Sequence, residues 1–114
     1  MADECVFCGI VTGDIPSTEA YRDDRVMAFD DINPSAPVHV LVVPTSHVTF
    51  LRDASEEHEA LIGHMALVAD RIAAEKGVRD GGYRLTINQG RHAGQVVDHL
   101  HMHMLGGGRL GPLG

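Results

Sequence analysis

Three histidines separated by single apolar residues are the part of this chain best suited to chemistry. Residues 99–104 read HLHMHM, so polar and apolar side chains alternate three times. Such alternation predicts a β-strand, because successive side chains of a strand point to opposite faces. On a strand, His99, His101 and His103 share one face, with neighbouring rings about 6.6 Å apart at the usual rise per residue. The pattern therefore predicts that three imidazoles act together.

The chemistry open to such a row of imidazoles is of two kinds. An imidazole ring is a nucleophile and a proton carrier near neutral pH, and it is also a common metal ligand. The alternative without function is the solvated face of an edge strand, where β-propensity would favour Thr, Tyr or Val over His. From the residues alone, nucleophilic catalysis and a metal site held by His99, His101 and His103 both stay open.

Length and composition limit the classes of protein to consider. The chain has 114 residues, 44% of them hydrophobic, which predicts a single folded domain over residues 1–114. Nine Lys and Arg against 16 Asp and Glu give a net charge of −7, a poor surface for a nucleic-acid backbone. The apolar runs are too short for a membrane span, and the first residues do not read as a signal peptide. We therefore expect a cytoplasmic protein with neither nucleic acid nor membrane as a partner.

Further candidate residues lie outside the histidine row. Cys5 and Cys8 form a C-x-x-C pair, which by its spacing alone is half of a zinc site, a redox pair or a coincidence. His39 interrupts the apolar run at 38–43, and a polar ring in such a strand is a candidate for function. The loop at 89–95 holds two glycines and can turn backbone N–H groups toward an anion.

The elements that must position these residues follow from turn and periodicity signals. A helix is predicted from Ser55, its N-cap, to Gly77, because apolar residues between them recur at spacings of three and four. A turn at 13–17 follows the apolar residues near the cysteines. The remaining β segments are 20–22 and 25–30, which form a hairpin, 38–43 and 83–88.

Taken together, these motifs resemble the histidine triad superfamily, and most of all its nucleotide-binding branch. The resemblance runs from CVFCGI at residues 5–10 to LGG at 105–107, and HLHMHM is its most specific part. The segments DINPSAPVH at 31–39 and AGQ at 93–95 also match. The family implies an α+β fold: an antiparallel sheet of about five strands, one main helix and a short N-terminal helix. It also implies a homodimer.

The resemblance implies an enzyme that acts on the α-phosphorus of nucleoside 5′-phosphoramidates or related nucleoside monophosphate conjugates. His101 is the expected nucleophile, which forms a nucleotidyl-histidine that water then cleaves. His103 is expected to contact the phosphate and to help protonate the leaving group, and His39 to line the phosphate pocket. This chemistry requires no cofactor. The alternative is a nucleotide-binding regulatory protein whose hydrolysis is incidental.

The resemblance also implies how the nucleotide is held. Asp31 matches the position that accepts hydrogen bonds from both ribose hydroxyls, while Asn88, Gly94 and Gln95 are expected to donate to the phosphate. Val96 departs from the pattern, because many relatives have a phosphate-binding Ser there. Apolar packing around the base implies a purine preference with little discrimination between adenine and guanine. The residues expected to sandwich the base are Val6, Phe7, Ile10, Phe29 and Ile32.

Some members of the superfamily carry zinc on two N-terminal cysteines, a histidine after the central strand and the first triad histidine. The matching residues are Cys5, Cys8, His47 and His99. Two thiolates and two imidazoles complete a tetrahedral shell, which is typical of a structural rather than a catalytic zinc site. The alternative is an unmetallated pair of small buried cysteines, with His99 hydrogen-bonded behind His101.

Overall fold

The computed structural model describes residues 5–113, which form a five-stranded antiparallel sheet with a helix on each face. The helices are α1 (Val6–Thr12) and α2 (Glu59–Glu75), and the strands are β1 (Glu19–Arg22), β2 (Val26–Asp30), β3 (Val38–Pro44), β4 (Tyr83–Thr86) and β5 (Met102–Gly106). The strand order is β1-β2-β3-β5-β4, so β1 and β4 are the edges. The predicted α+β fold is confirmed. In this part of the chain, neither helix combines the length and hydropathy that crossing a bilayer requires.

Helix α2 covers one face of the sheet with the apolar stripe that the sequence predicts. Met65 and Ile72 are buried against Val40 of β3 and Met104 of β5. The α-helix begins four residues after Ser55, because a 3-10 turn that Ser55 caps comes first. This face is the larger part of the hydrophobic core.

The opposite face of the sheet carries α1 and the histidines. Period-two alternation sends Leu41 and Val43 of β3 to this face, where they pack with Phe7 and Ile10 of α1. His103 stands opposite Leu41 in the β3–β5 register, so its ring lies on the same face. Because α1 has only seven residues, it covers part of the sheet and leaves a cavity beside the histidines.

The histidine stretch is only partly a strand. β5 starts at Met102, three residues later than the predicted segment 99–104, and extends two residues beyond it. The backbone N–H of Leu100 donates to the carbonyl oxygen of Val48 at 2.6 Å, not to a neighbouring strand. The alternation of side chains persists nonetheless, since Leu100 is buried in the α2 core while His101 lies on the α1 side.

One carboxylate ties the predicted hairpin of β1 and β2 to α2. Asp23 Oδ1 accepts from the backbone N–H groups of Arg25 and Val26, each at 2.8 Å. Its Oδ2 accepts from the Tyr21 hydroxyl at 2.8 Å and from Nε2 of His64, on α2, at 2.6 Å. Burial disfavours the charged carboxylate, but these four donors outweigh it and hold the pKa of Asp23 well below its usual range.

Candidate active site and metal cluster

A cavity of about 690 Å³ lies on the α1 face of the sheet and is lined by His101 and His103. This volume is typical of a small-molecule site. Six further residues that the sequence assigns to nucleotide binding also line the cavity: Val6, Phe7, Ile10, Phe29, Asp31 and Ile32. The structure therefore brings two of the three triad histidines together with the residues expected to hold the base and the ribose.

Sequence reasoning missed part of the cavity wall. Residues 15–18, which follow α1, line the cavity, and so does Val97. The one sequence signal for the first segment was the predicted turn at 13–17, which returns the chain over the apolar side chains of α1. Val96 lines the cavity with a side chain that is 88% exposed. No Lys or Arg is among the lining residues of the described chain, so imidazole and backbone donors must meet the charge of a phosphate.

Three residues predicted to bind phosphate, Asn88, Gly94 and Gln95, do not line this cavity. The N–H of Gly94 donates to the carbonyl oxygen of Arg91 at 3.0 Å, and that of Gln95 donates to the carbonyl oxygen of Gly90 at 3.1 Å. The buried Gln95 side chain accepts from the Gly90 N–H at 2.8 Å. Gly94 and Gln95 thus use these groups to close their own loop.

The hydrogen bond that His101 makes determines which of its ring nitrogens carries the lone pair of the neutral form. Its Nδ1 lies 2.7 Å from the carbonyl oxygen of His99. A carbonyl oxygen only accepts, so Nδ1 of the neutral ring carries the proton and Nε2 keeps its lone pair. The ring of Phe7 packs edge-on against the imidazole, with centroids 5.0 Å apart. The structure therefore sets both the tautomer and the orientation of a nitrogen nucleophile.

His103 presents the opposite kind of nitrogen. The backbone N–H of Ser35 donates to Nδ1 of His39 at 2.9 Å, so the proton of a neutral His39 is on Nε2. That Nε2 lies 2.9 Å from Nδ1 of His103, which must accept, so His103 carries its own proton on Nε2. Asp31 Oδ2 lies 3.4 Å from the same nitrogen of His39. His103 thus offers an N–H beside the lone pair of His101, whose ring centroid is 5.0 Å away.

The surroundings of His103 keep its ring neutral at pH 7. Burial lowers its pKa to about 4, and the neighbouring rings of His101 and His39 act in the same direction, against the opposing charge of Asp31. A neutral ring has one N–H and one lone pair, so the hydrogen bond from His39 decides that Nε2, the nitrogen at the cavity, bears the proton.

A second group of side chains lies beside the triad, around the N-terminus of α1. Cys5, Cys8, His47 and His99 each bring one ligand atom to within 4.8 Å of the others. Nδ1 of His99 lies 3.4 Å from Cys5 Sγ and 3.5 Å from Cys8 Sγ, and Nδ1 of His47 lies 3.2 Å from Cys8 Sγ. Nitrogen and sulfur ligands of a tetrahedral zinc ion are about 3.6 Å apart at the usual bond lengths. The four predicted zinc ligands therefore meet at distances that suit the ion.

The protonation of His99 also suits a metal. Nε2 of His99 lies 3.0 Å from the carbonyl oxygen of Pro44 and must donate to it, which leaves the lone pair of Nδ1 facing the thiols. Burial lowers the pKa of His99, so the ring is neutral. Burial, together with the hydrogen bond and charge of Cys5, raises the pKa of Cys8 to about 11. A nearby cation would favour the thiolate, so this donor set fits zinc.

Comparison with known proteins identifies the family. Residues 4–109 match the family model described as scavenger mRNA decapping enzyme C-term binding. The chain is 48% identical to the purine nucleoside phosphoramidase of Escherichia coli K12 over 113 residues, which cover 99% of this chain and 95% of that protein. A histidine triad protein from Clostridium difficile superposes with a TM-score of 0.93 at 45% identity, covering 97% of this chain and 96% of that one. The chain belongs to the histidine triad family.

A second solved structure in the histidine triad family agrees with this assignment. The HIT family hydrolase from Clostridium thermocellum superposes with a TM-score of 0.93 at 44% identity, covering 96% of each chain. The resemblance stated from the motifs, and the fold it implied, are thereby confirmed.

The three histidines of the triad do not converge on one ion. His99 turns its free nitrogen to the thiols, His101 donates to a backbone carbonyl, and His103 accepts from His39. His39 and His103 do form a further group with Asp31, whose ligand atoms lie within 4.8 Å of one another. The Ser35 N–H keeps a proton on the His39 nitrogen that a metal would need. The geometry therefore favours nucleophilic catalysis over a catalytic metal held by the triad.

Proposed function

We propose that this histidine triad protein is a phosphoramidase that hydrolyses the P–N bond of purine nucleoside 5′-phosphoramidates and related nucleoside monophosphate conjugates. The observation that carries the proposal is the set of hydrogen bonds at His101 and His103, which in the neutral rings place a lone pair on Nε2 of His101 and a proton on Nε2 of His103 at one cavity. Attack on phosphorus needs the first, and departure of an amine needs the second. A relative 48% identical to this chain bears that activity in its name.

In the first step, Nε2 of His101 attacks the α-phosphorus. A bond forms between this nitrogen and phosphorus, and the P–N bond to the amine breaks. The amine takes the electron pair of that bond and the Nε2 proton of the neutral His103, so His101 gains a positive charge and the His103 ring is left as an imidazolate with a negative charge. The product is a nucleotidyl-histidine on His101.

In the second step, water replaces His101 on phosphorus. The attacking water gives a proton to His103, a P–O bond forms, and the bond between phosphorus and Nε2 of His101 breaks. The nucleoside monophosphate leaves, and both rings return to their starting protonation states. Imidazole supplies both the nucleophile and the proton, so neither step requires a cofactor.

The nucleoside is held by apolar packing and one carboxylate. Phe7 and Phe29 pack edge to face with centroids 5.6 Å apart, and Ile32, which is 91% exposed, is free to cover the base. Such contacts recognise the shape of a purine more than its hydrogen-bonding edge. Asp31 Oδ1 already accepts from the N–H of Asn33 at 2.9 Å, and the remaining lone pairs of the carboxylate take the ribose hydroxyls.

The phosphate accepts hydrogen bonds from the backbone N–H groups of Val96 and Val97. Both residues line the cavity, and neither N–H donates to another residue within 5–113. This assignment moves the phosphate contact two residues along the chain, from Gly94 and Gln95 to Val96 and Val97. The role of Gly94 and Gln95 is then to shape the loop that carries the donors.

The proposal includes a structural zinc site. Its ligands would be Cys5, Cys8, His47 and His99. Four protein ligands leave no position for substrate. When bound, the ion would supply a structural link between α1 and His99. The carbonyl oxygen of His99 orients His101, so this link supports the nucleophile without entering the reaction.

The proposed enzyme is a homodimer. β4 pairs with β5 along one side, and within the described chain its other edge pairs with no strand, so it is available to a second copy. Leu85 on β4 and Leu67 on α2 are 38% and 73% exposed. A cytoplasmic location, a single domain over residues 1–114 and the lack of nucleic-acid or membrane partners stay predictions from the sequence.

The test is the turnover of an adenosine 5′-phosphoramidate with an amine leaving group, with and without a chelator. The proteins compared are the wild type, His101→Ala and His92→Ala. His92 is exposed and does not line the cavity, so its replacement is a matched control. We expect turnover by the wild type and the control, none by His101→Ala, and an adduct on His101 in mass spectra of rapidly quenched wild type.

Two results would count against the proposal. Nucleotide binding by the wild type without turnover would favour the regulatory binding protein. Loss of turnover on adding a chelator, while circular dichroism shows the fold intact, would place a metal in the chemistry.

A further inference from the structure

Ser35 contributes to the site through its backbone and not through its side chain. Its N–H donates to Nδ1 of the buried His39 at 2.9 Å, while the residue itself is exposed. Two hydrogen bonds hold the loop that carries this amide. The N–H of Asp31 donates to the carbonyl oxygen of His39 at 2.9 Å, and the N–H of Asn33 donates to Asp31 Oδ1 at 2.9 Å. The loop therefore aims the amide at the ring whatever side chain stands at position 35.

The His39–His103 pair has two possible hydrogen-bond patterns, which differ in what reaches the substrate. In the first, His39 Nε2–H donates to His103 Nδ1, and His103 turns an N–H toward the cavity. In the second, His103 Nδ1–H donates to His39 Nε2, and His103 turns a lone pair toward the cavity. Nε2 of His39 and Nδ1 of His103 lie 2.9 Å apart, and two neutral rings at this distance accommodate either pattern.

The amide of Ser35 distinguishes the two patterns. In the second pattern the proton of His39 is on Nδ1, where it meets the N–H of Ser35 donor to donor. In the first pattern the same N–H finds a lone pair. Asp31 acts in the same direction, because its Oδ2 is an acceptor 3.4 Å from Nε2 of His39.

We propose that the backbone N–H of Ser35 is a positioning group for the reaction, which selects the tautomer of His39 and thereby keeps the N–H of His103 directed at the leaving group. This inference rests on the proposed function. Ser35 acts only through His39, since it does not line the cavity. Without its N–H, His103 can turn a lone pair toward an anionic phosphate and an amine that needs a proton.

The test replaces this N–H and leaves the rest of the loop unchanged. L-Lactate incorporated at position 35 places an ester oxygen where the N–H was and carries a methyl side chain. Ser35→Ala is the matched reference, because it has the same methyl group and keeps the N–H. Both full-length proteins carry nitrogen-15-labelled histidine, so long-range proton–nitrogen spectra report which ring nitrogen of His39 and His103 bears the proton.

We expect Nε2–H tautomers for His39 and His103 in Ser35→Ala, and a shift of both rings toward Nδ1–H in the ester protein. The kcat for phosphoramidate hydrolysis should be about tenfold lower in the ester protein than in Ser35→Ala, since one ordinary hydrogen bond separates the two patterns. The KM should differ by less than about twofold, because position 35 makes no substrate contact.

Unchanged ring tautomers in the ester protein, or Nδ1–H on His39 in Ser35→Ala, would overturn the proposal. So would shifted tautomers with an equal kcat. If neither protein hydrolyses phosphoramidates, the proposed function fails while the spectra still test the tautomers. Ser35→Pro also lacks the N–H and provides a second comparison if the ester protein does not fold.

Discussion

Titration of His103 links the geometry of the active site to the stability of the protein. Its pKa falls from an ordinary 6.5 to about 4 in the folded protein, because the ring is buried beside His101 and His39. Between these pH values the unfolded chain binds a proton on this ring that the folded protein does not bind. The stability that depends on the neutral ring is therefore full above pH 6.5 and is lost progressively as the pH falls toward 4.

The size of this loss follows from the change in pKa. At about 1.4 kcal/mol per pH unit, the full difference would lower the free energy of unfolding by about 3 kcal/mol at pH 4. Solvent reaches part of the ring, so we expect about 2 kcal/mol. His103→Gln has no titrating ring at this position. It should lose about 2 kcal/mol less than the wild type between pH 7 and pH 4.

The assay is urea unfolding in steps from pH 7 to pH 4, with a chelator present so that zinc loss is equal in all samples. The wild type, His103→Gln and His92→Gln are compared, because His92 is an exposed histidine away from the cavity. Groups far from the cavity are unaffected by either replacement and cancel in the difference. The reasoning is refuted if His103→Gln shows the same pH slope as the wild type, or if His92→Gln departs from the wild type as much.

Three other perturbations test separate parts of the structure. Asp23→Asn should lower the free energy of unfolding by about 2 kcal/mol at pH 7, because the new amide N–H₂ would face two donors, the Tyr21 hydroxyl and Nε2 of His64. Asp24→Asn is the control, and because Asp24 is exposed it should lower the free energy of unfolding by less than about 0.5 kcal/mol. This difference should shrink as the pH falls below about 4, since the lowered pKa of Asp23 stabilises the fold only above that range. Cys8→Ser should abolish bound zinc in elemental analysis and bring the melting temperature to that of chelator-treated wild type; zinc retained at one ion per chain would contradict the cluster. Asp31→Asn should raise the KM of ribonucleoside phosphoramidates about tenfold and that of 2′,3′-dideoxy analogues little, and equal increases would argue against a ribose contact.

Local patterns in the sequence predict most of the fold. The apolar stripe of α2 and the alternation in residues 99–104 assign side chains to faces, and both assignments hold in the structure. They hold because the direction of a side chain depends on backbone geometry over a few residues. Even where Leu100 leaves the strand ladder, it still reaches the α2 core.

The limits of the last strand could not be read from the same pattern. The N–H of Leu100 bonds to Val48, 52 residues earlier in the chain, and this contact delays the start of β5 to Met102. The phosphate loop shows the same limitation. Glycines predicted freedom for the backbone around Gly94, but a 3-10 turn uses the N–H groups expected to face an anion.

The sequence by itself determined the family, the elements and the residue types at the site: histidines on one face, a C-x-x-C pair and a loop ending in His39. Only the tertiary structure decided which nitrogen of each histidine bears a proton. That choice depends on hydrogen bonds between distant groups, such as His39 with His103, 64 residues apart, and on the backbone amide of Ser35, which has no signature in the sequence. A ring nitrogen is a donor or an acceptor only in relation to its partner, and folding brings that partner into contact.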